Sequence, residues 1–246
     1  MSLLVCWSPH EPLRHDTLRH DTLRHEPLRH EPLRHEPLRH EPLRHDTLRH
    51  DTLRHETQVG IDEAGRGCLL GPVFAAAVVW DPSVDATGIK DSKKLTPKKR
   101  KEMRTYIESN AIAYGVGSAS HVEIDEHNIL NATYLAMHRA LDAMFADSNT
   151  DLHVDRLVVD GDRFKSYHPT LPFVCVRGGD NTYVHVAAAS ILAKENHDDW
   201  IETHFANDLR YKLTSNKGYG TKAHRDGIWE YGLTDYHRKT FCKFAR

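Results

Sequence analysis

The sequence predicts an α/β domain over residues 56–246, in which a mixed β-sheet is flanked by helices and followed by a small C-terminal helical portion. Composition changes abruptly near residue 56, where a short-period repeat gives way to varied sequence. In the varied part, short apolar runs of strand character alternate with longer segments whose apolar residues recur at helical spacing. This alternation is typical of an α/β domain with a central sheet.

Five strands are predicted in the domain. The runs VGIDEAG and VFAAAVVW are separated by a glycine-rich turn that ends at Gly71 and Pro72, residues that interrupt regular structure. The other three predicted strands are AIAYGVGSAS, DRLVVDGD and FVCVRGG.

Helices are predicted between and after these strands. TPKKRKEMRTYIES begins with Thr96 as N-cap and Pro97 at the first helical position. HNILNATYLAMHRALDAMF has apolar residues at helical spacing, and VHVAAASILAKENHDDWIETHF is long and rich in alanine. Two short helices are predicted in TKAHRDGIWEYG and DYHRKTF.

Residues 1–55 are predicted to be a disordered low-complexity tail. Nine tandem pentapeptides, EPLRH or DTLRH, run from Glu11 to His55. A five-residue period spreads leucine around a helix, the prolines remove hydrogen-bond donors, and one leucine in five cannot offset chain entropy. The ten histidines of the tail could bind transition metals, but we favour the interpretation that they accompany a duplicated coding unit.

Composition excludes several classes of protein. The chain has 33 Lys and Arg against 35 Asp and Glu, so charge alone would not hold it on DNA. A membrane span is not expected because no run of about 18 apolar residues exists, and the N-terminus does not resemble a secretory leader. The four cysteines contain no CxxC pair, which fits a reducing cytoplasm. We expect a cytoplasmic monomer.

Four acidic residues stand at the ends of predicted strands. Asp62 and Glu63 are adjacent in the first strand, Asp160 closes VVDGD, and Asp180 follows FVCVRGG. Open α/β sheets bind ligands at such strand ends. Clustered carboxylates repel one another unless cations lie among them, and their hard oxygens select Mg²⁺ or Mn²⁺. The pattern therefore predicts a metal site for phosphodiester chemistry, although each acid taken alone could be a solvated strand end.

Five motifs occur in order around these acids, and together they resemble the ribonuclease HII family. The resemblance extends from about Val59 to Phe241. The motifs are GIDEAGRG, DSKKL, VVDGD, GGD followed by AAASILAK, and NKGYGTKAH.

The resemblance implies a ribonuclease H-like fold and a role for individual residues. The four acids match the family's catalytic carboxylates, which hold two divalent ions, Mg²⁺ or Mn²⁺. Gly65, Arg66 and Gly67 match a loop that senses the ribose 2′-hydroxyl through its backbone. Tyr219 matches a tyrosine that stacks on the following deoxyribose, and Lys93 matches a residue that holds a phosphate. An RNA-specific enzyme needs such 2′-hydroxyl recognition.

The implied activity is hydrolysis of RNA in RNA–DNA hybrids and cleavage 5′ of single ribonucleotides in duplex DNA, with 5′-phosphate and 3′-hydroxyl products. Two alternatives are kept. One is a ribonuclease HIII-like hybrid nuclease, whose extra N-terminal domain the repeat cannot supply. The other is a catalytically idle nucleic-acid-binding scaffold, against which the presence of all four acids argues.

Some positions depart from the family pattern or resist assignment. Glu195 to Asp198 follow AAASILAK where the family has other residues, so substrate contacts there are in doubt. Asp162 adds an acid near the site and is expected to face solvent. The basic start of the first helix, which includes Arg100, is interpreted as a solvated face, with contact to the duplex backbone as the alternative.

Overall fold

A computed structural model describes residues 56–147 and 152–245 of the chain. The predicted repeat tail, residues 1–55, lies outside the described residues. The domain contains a five-stranded mixed sheet with helices on both faces, as predicted. Its strands are β1 (Gln58–Ala64), β2 (Val73–Val79), β3 (Ala113–Ala119), β4 (Arg156–Asp160) and β5 (Phe173–Val176).

The strand order is β3-β2-β1-β4-β5, so β1 is the central strand. β1 pairs antiparallel with β2, which pairs antiparallel with β3. On its other side β1 pairs parallel with β4, and β4 pairs parallel with β5. The parallel half directs the carboxyl ends of β1, β4 and β5 to the same edge of the sheet, which is where the acidic residues follow.

The helices agree with the predicted positions in most cases. They are α1 (Pro97–Asn110), α2 (His121–Asp147), α3 (Val184–Phe205), α4 (Leu213–Asn216) and α5 (Lys222–Tyr231). The Thr96 side chain accepts a hydrogen bond from the Lys99 backbone N–H, which confirms the predicted N-cap of α1. Among the described helices, none is long and apolar enough to span a membrane.

One predicted helix is wrong. Residues 235–241, DYHRKTF, form turns instead of a helix. The Gly71 N–H donates to the Tyr236 carbonyl, and the Arg238 N–H donates to the Leu69 carbonyl. These backbone groups bind a distant loop, so they are not available for a helical ladder.

Two apolar layers hold the helices to the sheet, and each fully buried aliphatic side chain contributes about 1.5–3 kcal/mol to stability. One layer lies between the sheet and α2, and the other lies between the sheet and helices α1 and α3. A third, smaller cluster joins Leu69 and Leu70 to the end of α3 and the C-terminal segment. This third cluster packs apolar side chains from residues 211–245 against the loop that follows β1.

Helix α2 rests directly on the backbone of β3. A Cβ added at Gly115 would lie 2.3 Å from the Ala140 carbonyl oxygen, and one at Gly117 would lie 2.4 Å from the Ala136 carbonyl oxygen. Real Cβ atoms do not approach backbone atoms this closely, so the two glycines set the distance between helix and sheet.

His185, in the first turn of α3, is predicted to make the domain less stable in acid. Its Nε2 atom is buried without a hydrogen-bond partner, and burial lowers the pKa of the ring to about 4. In the unfolded chain the His185 ring is protonated below its ordinary pKa near 6.5, whereas in the folded domain it stays neutral until about pH 4. Protonation therefore favours the unfolded chain, and the free energy of unfolding falls as the pH is lowered from about 6.5 to about 4.

We expect His185→Leu to remove about 2 kcal/mol of this acid-induced loss. The measurement is urea unfolding at pH 7, 5.5 and 4.5 for the wild type, His185→Leu and the control His127→Leu, which replaces an exposed histidine. Parallel pH profiles for all three proteins would show that His185 is not the responsible group.

Candidate active site

Three carboxylates gather at the carboxyl edge of the parallel strands. Ile61 is paired with Val159 in the parallel ladder, so the next residues, Asp62 in β1 and Asp160 at the end of β4, lie side by side on neighbouring strands. Glu63 follows Asp62 in β1. The chain brings together at one edge the acids that are separated by about a hundred residues in the sequence.

Asp180 joins this group through a short turn. It lies in the 3₁₀ turn Gly179–Asn181 between β5 and α3. The Gly179 N–H donates a 2.8 Å hydrogen bond to Asp160 Oδ1, which ties the turn to the end of β4. The four predicted carboxylates therefore occupy adjoining positions.

Burial and mutual repulsion act on these acids. Burial, followed by the charges of Glu63 and Asp160, raises the pKa of Asp62 well above its ordinary value. Burial also raises the pKa of Glu63, against the opposing effect of Arg66. The pKa of Asp180 is raised by burial and by the charges of Asp91 and Asp160. A cluster of this kind is stabilised by a cation placed among the oxygens.

The carboxylate oxygens of this cluster are suitable ligands for a hard divalent cation, although they do not form a complete coordination site among the described residues. Carboxylate oxygens are the ligands that Mg²⁺ and Mn²⁺ prefer. Within the part of the chain that the structure describes, no three His, Cys, Asp or Glu side chains already surround one point as ion ligands.

Two residues that the sequence analysis did not single out contact these acids. Asp91 is buried, accepts a hydrogen bond from the Lys93 N–H, and its charge helps raise the pKa of Asp180. Ser190, in α3, opposes the rise in the pKa of Asp62, and its hydroxyl lies 2.9 Å from the Ser92 hydroxyl. Both residues stand inside quoted motifs, DSKKL and AAASILAK, so motif membership was the available signal.

Lys93 lies at the edge of the acid cluster with its side chain exposed. Its charge opposes the rise in the pKa of both Glu63 and Asp180, so a cation that is open to solvent lies near the carboxylates. This position suits contact with a phosphate that approaches the acids.

The loop Gly65–Gly67 lies against Tyr219, so the residues expected to sense the sugar are brought together. Gly65 has a φ of +87°, a conformation that favours glycine. A Cβ at Gly67 would lie 3.6 Å from the Tyr219 ring. Cys68 and Tyr219 form an isolated antiparallel bridge. Arg66 is exposed and donates a 3.0 Å hydrogen bond to Glu63 Oε1, which connects the loop to the acids.

The Tyr219 ring is partly open to solvent. It is 39% exposed, and the Lys194 ammonium lies 5.6 Å from its centroid. Burial of the hydroxyl end raises the pKa of Tyr219 to about 12, so the group is neutral near pH 7. A neutral aromatic surface beside a basic group and a backbone loop suits contact with a sugar.

The interpretation of the basic run as a solvated face is wrong for Arg100. This side chain is buried, and it donates hydrogen bonds to Glu195 and, at 3.2 Å, to Asp198. His197 is also buried and lies 3.1 Å from Asp198. The unusual residues after AAASILAK therefore form an internal network, and Lys98, Lys99 and Lys101 alone remain exposed in the run Lys98–Lys101. Asp162 is exposed, as expected.

Comparisons with known proteins identify the family of this chain. The family model for ribonuclease HII matches residues 59–244. The ribonuclease HII of Christiangramia forsetii is 48% identical over 185 residues, which are 75% of this chain and 90% of that protein. The ribonuclease HII of Parabacteroides distasonis is 46% identical over 184 residues, 75% of this chain and 89% of that protein.

Solved structures show the same fold. The ribonuclease H2 of Pyrococcus horikoshii OT3 superposes with a TM-score of 0.60 at 24% identity, covering 77% of this chain and 96% of that one. The ribonuclease HII of Archaeoglobus fulgidus, solved in complex with PCNA, gives a TM-score of 0.55 at 26% identity. The match covers 74% of this chain and 93% of that one. The chain therefore belongs to the ribonuclease HII family and is a ribonuclease H, an endonuclease that acts on RNA–DNA hybrids.

Proposed function

We propose that this protein hydrolyses the RNA strand of RNA–DNA hybrids and also cuts duplex DNA 5′ of a single embedded ribonucleotide, leaving 5′-phosphate and 3′-hydroxyl ends. One observation carries the proposal. The acid cluster, the Gly65–Gly67 loop with its exposed residues Arg66 and Gly67, and the partly exposed Tyr219 ring adjoin one another. A sugar that reaches the loop would present its phosphate to the acids.

In this proposal Asp62, Glu63, Asp160 and Asp180 hold two divalent ions, Mg²⁺ or Mn²⁺. Bound there, such ions supply Lewis-acid activation of a water and stabilise the leaving oxygen. The carboxylate chemistry and the raised pKa values of three of the acids support it, since a cation would relieve their repulsion. A ribonuclease HIII has been solved in complex with Mn²⁺ and shares the fold, with a TM-score of 0.54.

The remaining residues recognise the substrate. The Gly65–Gly67 backbone hydrogen-bonds the ribose 2′-hydroxyl, and the absence of a side chain at the exposed Gly67 leaves room for the sugar to approach. Tyr219 stacks on the deoxyribose that follows. Lys93 holds a phosphate beside the acids. This set favours the HII activity over the HIII-like alternative, because it would read one ribose and its neighbour instead of a long hybrid.

The test is cleavage of a DNA duplex that holds one ribonucleotide. With Mg²⁺ or Mn²⁺ we expect one cut on the 5′ side of the ribonucleotide, lost with EDTA, and no cut in the all-DNA duplex. Tyr219→Ala should reduce cleavage at the single ribonucleotide about tenfold, and Tyr219→Phe should retain it, because the ring supplies the contact. Cleavage of long hybrids alone would contradict junction recognition and favour the HIII-like alternative. Cleavage of neither substrate would favour the scaffold.

We also propose that residues 56–246 are the catalytic domain and that the tail is not required for cleavage. The same assay on the full chain and on residues 56–246 addresses this point, since scaffolding or metal recruitment by the tail would be lost with its removal. The cytoplasmic location and the monomeric state stay predictions.

A further inference from the structure

One buried cation contacts the Gly65–Pro72 loop at four places. Arg238 is fully buried, and its guanidinium donates only to backbone carbonyls of this loop. The contacts are Nη2 to the Gly65 oxygen at 2.8 Å, Nη1 to the Arg66 oxygen at 2.9 Å, Nε to the Gly71 oxygen at 2.8 Å and Nη2 to the Pro72 oxygen at 3.0 Å.

No carboxylate lies within ion-pair distance of Arg238 among residues 56–147 and 152–245, so backbone dipoles stabilise the charge. Burying a cation without an ionic partner is costly. A fork of donors matched to four carbonyls at once is a specific arrangement that lysine could not reproduce. The buried charge therefore suggests that Arg238 has a specific role, which is to fix the backbone conformation of the Gly65–Pro72 loop.

The contacts determine which way two exposed amides point. In a trans peptide plane the carbonyl and the next N–H point in opposite directions. Because the Gly65 and Arg66 carbonyls point at the guanidinium, the N–H groups of Arg66 and Gly67 point away from it. Arg66 and Gly67 are both exposed. The two amides are thus directed outward from the buried arginine.

The turns around Arg238 also contact the neighbouring residues. Leu70 and His237 form an isolated bridge. The His237 Nδ1 accepts from the Thr234 N–H, so its Nε2 donates to the His224 Nε2 at 3.1 Å. His224 in turn donates through Nδ1 to the Tyr219 carbonyl at 3.0 Å. The turns around Arg238 thus contact the loop directly and are linked to the Tyr219 backbone through His224 of α5.

We propose that Arg238 is a positioning residue for sugar selectivity: its guanidinium holds the Gly65 and Arg66 carbonyls inward so that the Arg66 and Gly67 amides face the ribose 2′-hydroxyl. The inference rests on the proposed function. It assigns the preference for ribose over deoxyribose to a residue that does not itself touch the substrate.

The test measures binding in full-length protein made inactive by Asp160→Asn. Affinities are measured with Ca²⁺ for a duplex with one ribonucleotide and for the all-DNA duplex of the same sequence. The variants are Arg238→Lys, Arg238→Gln and, as control, Lys239→Gln, which removes the adjacent exposed charge. We expect the ribonucleotide preference to fall about tenfold in both Arg238 variants and to be unchanged in the control, from the loss of one to two oriented hydrogen bonds.

The ratio of the two affinities keeps the test valid when a variant is partly unfolded, because unfolded protein weakens both affinities by the same factor. An unchanged ratio in both Arg238 variants would overturn the inference and leave Arg238 a structural residue. If Asp160→Asn protein with an intact Arg238 shows no preference for the ribonucleotide, the proposed function itself is wrong.

Discussion

Asp160→Asn is expected to reduce cleavage of RNA–DNA substrates about a thousandfold or more, while the protein remains folded. Asn keeps an oxygen to accept the hydrogen bond from the Gly179 N–H, so the turn that carries Asp180 should stay in place. What is lost is one negative charge at the end of β4, next to Asp62. If that charge helps hold the divalent ions, several kcal/mol of stabilisation of the reacting phosphate disappear, and each 1.36 kcal/mol is a factor of ten in rate.

The same substitution should not lower stability. The Asp160 charge contributes to the raised pKa values of Asp62, Glu63 and Asp180, so it opposes their ionisation in the folded protein. Removing it relieves repulsion, and urea unfolding without divalent ions should show equal or greater stability. Single-turnover cleavage and unfolding are both compared with Asp162→Asn, which neutralises an exposed acid paired with Arg177. Retained activity in Asp160→Asn would remove Asp160 from the catalytic set.

Gly117→Ala is expected to destabilise the domain by about 3 kcal/mol or more. The new Cβ would lie 2.4 Å from both the Ala136 carbonyl oxygen and the Ala140 nitrogen in α2. These are backbone atoms, so no side-chain rotation relieves the overlap, and the helix must move away from a close-packed interface. Because α2 packs over β3 and β2, that movement would open the apolar layer on this face of the sheet.

Urea unfolding at pH 7 measures this effect, with Ser118→Ala as the matched control. Ser118 is the next residue of β3, and its side chain points to the opposite face of the sheet from the Gly117 position. The control should change stability by less than about 0.5 kcal/mol. Equal stability of the Gly117 and Ser118 variants would mean that α2 does not press on β3 as closely as the geometry indicates.

Local sequence signals predicted the fold where short-range chemistry decides the structure. The Thr96–Pro97 start of α1 is a matter of neighbouring residues, and it was confirmed. The apolar runs of β1, β2 and β4 were also predicted as strands, since their apolar composition favours burial, and the three strands are largely buried. The five motifs, which occur in order along the chain, then indicated the family and with it the fold.

Interactions between distant residues were not visible in the same way. Arg100 is buried because it pairs with Glu195 and Asp198 on α3. These acids lie nearly a hundred residues away in the sequence, and the basic residues around Arg100 give no indication of them. The prediction of a helix over residues 235–241 failed for the same reason. Their backbone groups form hydrogen bonds with Leu69 and Gly71, which precede them by about 167 positions and are not visible in the local sequence. The contact of Asp91 with Asp180 is hidden for the same reason.

The long separation between Arg238 and the loop that it holds also has a consequence for the order of events during synthesis. Translation releases Gly65 to Pro72 early, but the guanidinium that contacts their carbonyls follows about 167 residues later. Because a domain generally folds as a unit, the loop amides cannot be held in this orientation until Arg238 has left the ribosome. A nascent chain that ends before Arg238 would therefore lack the group that orients its sugar-binding loop, however much of the sequence before it has been made.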